Sequence, residues 1–145
     1  LTIRALESRD VDSILAIQAA CPEIAEWTAW DYDRVARGEM AGWVAEEDAE
    51  VAGFLVARRL SSELEILNFA VESEWRRCGI GAKLLGEALH WAQTFQASQA
   101  ILEVRASNLS ALRFYERHKF EVVGRRPHYY TAPVEDALLL TVTLG

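Results

Sequence analysis

Apolar and polar positions alternate with two different periods along this chain. Residues 2–6 read as a short strand. Asp10 then stands before Val11, Ile14, Leu15 and Gln18, which share roughly one helical face, so a helix capped by Asp10 is predicted. A second helix is predicted to start near Thr28, because Thr28-Ala29-Trp30-Asp31 has the spacing of a capping box. Gly42 to Leu60 reads as a hairpin turning at Glu47-Asp48, and Leu64 to Val71 as the next strand. Ile80, Leu84, Leu85, Ala88, Leu89 and Ala92 recur at helical spacing and predict a helix over 80–96 with one buried face.

A strand over 99–105 follows, then a helix for which Asn108 is a suitable cap, since its side chain can accept from the backbone two or three positions on. Phe120 to Gly124 and Asp136 to Leu144 are predicted as the last two strands. The resulting order, β-α-α-β-β-β-α-β-α-β-β, implies a mixed α/β chain. Its central sheet is mostly antiparallel with helices on both faces, and only the middle strands require a parallel crossover.

No linker, repeat or low-complexity tract interrupts the 145 residues, so a single domain over 1–145 is expected. An apolar content of 51% and a charged content of 26% are ordinary for a globular domain. No window approaches 18 uninterrupted apolar residues, and Leu1 to Ser8 carries no signal-peptide core, so neither a transmembrane helix nor a membrane partner is expected. Two cysteines, Cys21 and Cys78, are too few for a disulfide scaffold or a zinc cluster and suit a reducing cytoplasm. The three histidines lack metal-ligand spacing, so no metal is expected. A net charge of −7 disfavours nucleic acid and suits a cationic acceptor such as an amine or a basic peptide.

The chemistry concentrates in residues 76–81, Arg76-Arg77-Cys78-Gly79-Ile80-Gly81, between an apolar run and a helix. Glycines there let backbone N–H groups approach a ligand closely, and the N-terminus of the helix favours an anion. Three phosphate-binding patterns compete. The P-loop pattern fails because Leu84, not a hydroxyl residue, follows Lys83. The dinucleotide pattern is met by Gly79 and Gly81, with Glu103 at a suitable distance, but Leu84 takes its third glycine position.

The third pattern is Arg76-x-x-Gly79-x-Gly81 between strand and helix, which resembles the signature of the GNAT N-acetyltransferase superfamily. Leu102-Glu103-Val104-Arg105-Ala106-Ser107-Asn108, Phe114-Tyr115-Glu116, Arg125-Arg126, Tyr129-Tyr130 and Glu135-Asp136-Ala137 resemble its bacterial ribosomal-protein-alanine N-acetyltransferase subfamily. The chain departs from that subfamily at Glu26, where proline is usual, and in the turn Thr131-Ala132-Pro133-Val134, which lacks the usual glycine.

The resemblance implies acetyl-coenzyme A as co-substrate. It implies that Phe69, Ala70 and Val71 hold the pantetheine arm through their backbone. It further implies that Arg76, Arg77, Cys78, Gly79, Ile80, Gly81 and Ala82 form the pyrophosphate loop, and that Asn108 also touches the cofactor. Glu103 would be the general base and Tyr115 the general acid for the departing thiolate. By alternation alone, Glu103 would instead pair with Arg105 on the same strand face, and Tyr115 would be a core residue. Trp27, Tyr129 and Tyr130 would border the acceptor groove. The implied acceptor is a basic protein or peptide N-terminus, with a ribosomal protein foremost. An α-amine is about 3–4 kcal/mol easier to deprotonate at neutral pH than a lysine.

Overall fold

The computed structural model describes residues 1–76 and 78–145. The strands are β1 (Thr2–Ala5), β2 (Ala41–Glu47), β3 (Glu50–Leu60), β4 (Glu63–Val71), β5 (Gln99–Arg105), β6 (Glu121–Thr131) and β7 (Val134–Thr143). The helices are α1 (Val11–Ala19), α2 (Ala29–Ala36), α3 (Ile80–Thr94) and α4 (Leu109–Arg117). One sheet takes all seven strands in the order β1-β2-β3-β4-β5-β7-β6. Only β4 and β5 run parallel, joined by the α3 crossover. The predicted order of elements and the mixed, mostly antiparallel sheet therefore hold.

Alternation along β3 sends Leu55 and Ala57 to one face of the sheet and Phe54 and Val56 to the other. The first face packs against α3, whose Leu84, Leu85 and Ala88 are fully enclosed. The second receives Val11, Ile14 and Ile17 from α1 and Tyr32 and Val35 from α2. Each fully buried leucine or isoleucine contributes roughly 1.5–3 kcal/mol by leaving water. Thr28 caps α2 in a reciprocal box with Asp31, as its spacing predicted.

Several boundaries differ from the sequence reading. Asp10 does stand before α1, but its carboxylate makes no cap there. It is taken by Arg4, at 2.8 Å to each oxygen, and by the Glu7 amide. The β2–β3 turn falls on Asp48-Ala49, both at positive φ, one residue later than expected. The largest difference is β6, which continues past Gly124 to Thr131. Pro127 interrupts its pattern, and an edge strand tolerates proline because one side of its ladder faces solvent. The ladder skips between Arg126 and Tyr130, where Asp136 accepts from the His128 amide at 2.9 Å and from Arg125 at 2.6 Å.

Two irregularities open the sheet. The ladder between β4 and β5 covers only Glu63–Glu65 against Gln99–Ile101, and beyond it the strands diverge. In β4, Leu67 is an extra residue opposite the Val56–Ala57 step. This bulge re-aims the strand, so Leu64 and Ile66 face α3 whereas Leu67 and Asn68 face α1 and α2.

Candidate active site

The divergence of β4 from β5 leaves two cavities that meet. The smaller, about 210 Å³, lies between β4, β5, the α1–α2 loop and β6, and includes Glu103, Tyr129 and Tyr130. The larger, about 750 Å³, runs from β4 over the start of α3 to α4. Glu23, Ile24, Phe69, Asn108, Ala111 and Tyr115 line both, so the two form one groove with a waist that includes Tyr115.

The larger cavity is built for an anion. Gly79 ends the loop at φ +78°, a conformation that suits glycine, and starts α3. The first amides of α3 have no acceptor within the helix and carry its positive dipole end. Gly81 and Ala82 line the wall there, and a Cβ on Gly81 would stand 3.2 Å from the Phe114 ring. Arg76 is folded onto β4: its Nε donates to the Val71 carbonyl at 3.1 Å and its Nη2 lies 3.2 Å from the Cys21 sulfur. Arg113 and Arg117 of α4 add positive charge along the same cavity. His118 packs against Phe114, the rings tilted by 45° with centroids 4.6 Å apart. Burial and the Arg117 charge hold its pKa below the ordinary value.

These features fit an elongated ligand with phosphates at one end. Ala70 and Val71 line the larger cavity, and Phe69 lines both. Cys78 is exposed and outside the lining, and Ile80 turns its side chain into the core, so only its backbone can serve a ligand. Arg77 lies outside the described residues. Asn108 caps α4 through Oδ1, which accepts from the Ala111 amide at 3.2 Å.

Tyr115 at the waist and Glu103 in the smaller cavity are the two candidate proton-transfer groups. Tyr115 is buried against Phe69, Phe114 and Phe120, with ring centroids 5.2–6.3 Å away. Its hydroxyl has no hydrogen-bond partner among the described residues, and burial pushes its pKa above the ordinary phenol value. Glu103 does not pair with Arg105, contrary to the alternation argument. Arg105 instead reaches across to Glu135 at 3.3 Å and covers the Tyr130 ring at 4.2 Å. Glu103 Oε1 lies 3.5 Å from Arg126 Nη2, and its Oε2 is enclosed without a partner among the described residues. A buried, unpartnered carboxylate oxygen is costly unless something else uses it.

One wall of the smaller cavity is formed by Tyr129 and Tyr130, packed edge-to-face at 5.1 Å. Burial and the Glu103 charge raise the Tyr130 pKa. Trp27 does not reach the lining; its ring packs on Tyr32 at 5.3 Å. Sequence reasoning gave no site role to Asn68, Arg113, Arg117 or Arg126, although Arg126 was among the residues that carried the resemblance. The first was hidden in an apolar strand, the next two on an ordinary charged helix face. Arg126 was masked by the expected end of β6 at Gly124.

The model of the acetyltransferase (GNAT) family matches residues 10–120. A putative [ribosomal protein bS18]-alanine N-acetyltransferase from Bacillus subtilis is 29% identical over 99% of this chain and 95% of that protein. An N-alpha-acetyltransferase from Sulfurisphaera tokodaii is 32% identical over 98% of this chain and 92% of its own length. The crystal structure of the ribosomal-protein-S18-alanine N-acetyltransferase from Escherichia coli superposes with a TM-score of 0.85 at 25% identity. It covers 99% of this chain and 94% of that one.

Proposed function

The chain belongs to the acetyltransferase (GNAT) family, and from that premise we propose that it acetylates the α-amine of a protein N-terminus. The acceptor is the alanine-first N-terminus of a small-subunit ribosomal protein. The chain is an N-acetyltransferase with acetyl-coenzyme A as acetyl donor. The names of its relatives support an N-terminal acceptor, and its own net charge of −7 suits a basic one.

The observation that carries the mechanism is the unpartnered Glu103 Oε2 in the smaller cavity, next to the waist at Tyr115. In this reading the acceptor nitrogen bonds to the thioester carbon directly, in a ternary complex, while the carbon–sulfur bond breaks. Glu103 takes the proton that the amine loses, directly or through a water. Tyr115 gives its hydroxyl proton to the leaving sulfur and later recovers one from solvent. Phe69, Ala70 and Val71 and the start of α3 position the donor, so that much of the rate comes from alignment.

Thiol release measured with peptides beginning Ala-Arg, and with polyamines and aminoglycosides for comparison, tests the acceptor. Turnover with peptides is expected; turnover confined to small amines would overturn the proposal.

A further inference from the structure

Asn68 is the one polar side chain that β4 buries behind the acceptor cavity, at 4% exposure. Its surroundings fix which way its carboxamide is turned. The Ala25 carbonyl can only accept, so the atom 3.1 Å from it is the amide nitrogen. That nitrogen also donates to the Tyr32 hydroxyl at 2.9 Å. The Tyr32 hydroxyl in turn donates to Gln18 Oε1 at 2.5 Å. Gln18 clasps the Trp27 backbone, accepting from its N–H at 3.1 Å and donating to its carbonyl at 2.8 Å. Both ends of the chain of bonds are backbone groups of fixed polarity, so every donor in it is assigned.

With both amide hydrogens engaged, the Asn68 side-chain oxygen remains. It accepts no hydrogen bond among the described residues, and it is not one of the fully enclosed unpartnered atoms. Asn68 lines the smaller cavity together with Glu103 and Ala25. The β4 bulge at Leu67 is what brings Asn68 to this face.

We infer that Asn68 is a specificity-determining residue: its carboxamide oxygen accepts a hydrogen bond from the first peptide N–H of the acceptor. The inference rests on the proposed N-terminal acceptor and deepens it. In a peptide N-terminus an amide N–H lies three bonds from the reacting nitrogen. A lysine side chain or a polyamine has only C–H groups at that distance. Such an amine would leave the Asn68 oxygen dehydrated and unpaired, and a site built to receive a donor rejects analogues lacking one. The same carboxamide holds Ala25, so one side chain both sets the cavity wall and reads the acceptor.

The test compares a peptide beginning Ala-Arg with its depsipeptide analogue, in which an ester oxygen replaces the first peptide N–H. The wild-type enzyme is expected to favour the amide by about tenfold or more in kcat/KM. Asn68→Ala should reduce that preference to less than about twofold while the KM for acetyl-coenzyme A stays unchanged. Because Asn68→Ala also frees the α1–α2 loop, Tyr32→Phe serves as the control. It loosens the same loop from the other side, by removing the Tyr32 bonds to Asn68 and Gln18, and keeps the Asn68 oxygen, so turnover falls while the amide preference survives. Equal turnover of amide and ester by the wild-type enzyme, or a preference undiminished in Asn68→Ala, overturns the inference and leaves the N-terminal acceptor standing. Turnover of small amines with none of either peptide overturns the acceptor reading itself and the inference with it.

Discussion

Glu103 Oε1 stands 3.5 Å from Arg126 Nη2, beyond the 2.7–2.9 Å of a strong charge-assisted bond, while Oε2 is enclosed and unpartnered. Arg126 is more than half exposed and also rests on the Tyr129 ring at 5.2 Å. The contact is thus a loose surface pair on one oxygen and an unused acceptor on the other. A carboxylate serving only stability would be expected to satisfy both.

Glu103→Gln keeps the shape of this side chain and removes its basicity. Turnover should fall by at least about tenfold, and by as much as 10²–10⁴-fold if proton transfer limits the rate. Acetyl-coenzyme A binding, followed by calorimetry, should be nearly unchanged, because Glu103 lines only the smaller cavity. Arg126→Gln should change stability by less than about 1 kcal/mol, as exposed pairs do. Undiminished turnover in Glu103→Gln would remove Glu103 from the mechanism.

Tyr115→Phe should likewise lower turnover at least about tenfold while folding stays intact, since the hydroxyl has no hydrogen-bond partner among the described residues to lose. Burial raises the pKa of Tyr115, and for Tyr32 burial outweighs the opposing Asn68 bond. Groups with raised folded pKa values contribute stability in full below their unfolded value of about 10. Above it the unfolded chain ionises first and that stability is lost. Denaturant midpoints should therefore be flat from pH 7 to about 9.5 and fall beyond pH 10. In Tyr115→Phe the fall should be shallower.

Gly81→Ala perturbs the larger cavity and leaves the smaller one, which Gly81 does not line, untouched. The new Cβ would meet the edge of the Phe114 ring at 3.2 Å, tight enough that the ring, which lines the larger cavity, must shift by a few tenths of an ångström. The KM for acetyl-coenzyme A is expected to rise about tenfold or more, with the acceptor KM unchanged and stability lowered by about 1–3 kcal/mol. Gly79→Ala meets no neighbour within 4 Å but must adopt φ +78°, so it should cost about 1–2 kcal/mol of stability instead. A thermal melt beside steady-state kinetics separates the two effects.

Periodicity exposed the architecture because each long element here buries one face. The α3 stripe from Ile80 to Ala92 and the alternation in β3 are legible for that reason. Local capping chemistry was legible too, at Thr28 and Asn108. What escaped was non-local. Nothing around Asp10 reveals that Arg4 will claim it in place of the helix, nor that Arg105 will turn to Glu135 and leave Glu103 to Arg126. The bulge at Leu67 is equally silent, because a one-residue slip in pairing leaves no mark in an apolar strand. Resemblance to the family pointed to Glu103 and Tyr115, and both line the groove. It could not show that Asn68, from the middle of β4, would join them.

The Arg4–Asp10 pair provides the clearest link between acid and stability. Burial alone would raise the Asp10 pKa. The bonds from Arg4 and the Glu7 amide, with the charges of Arg4 and Arg9, overcome that and hold it below the ordinary value. A carboxyl with a lowered folded pKa contributes stability above its unfolded value of about 3.9, and loses it as pH falls through the folded value. Unfolding monitored by tryptophan fluorescence should therefore show stability level from pH 7 to about 5 and declining below pH 4. Asp10→Asn should cost about 3 kcal/mol at pH 7 by leaving Arg4 without its main partner. It should also flatten the acid limb, because the titrating group is gone. Glu7 and Glu46 also contact Arg4, at 3.2 and 3.0 Å, and they limit the loss. An unchanged acid limb in Asp10→Asn would assign the acid sensitivity to other carboxylates. Activity of this variant at pH 7 and low temperature should match the wild type, since the pair lies in neither cavity.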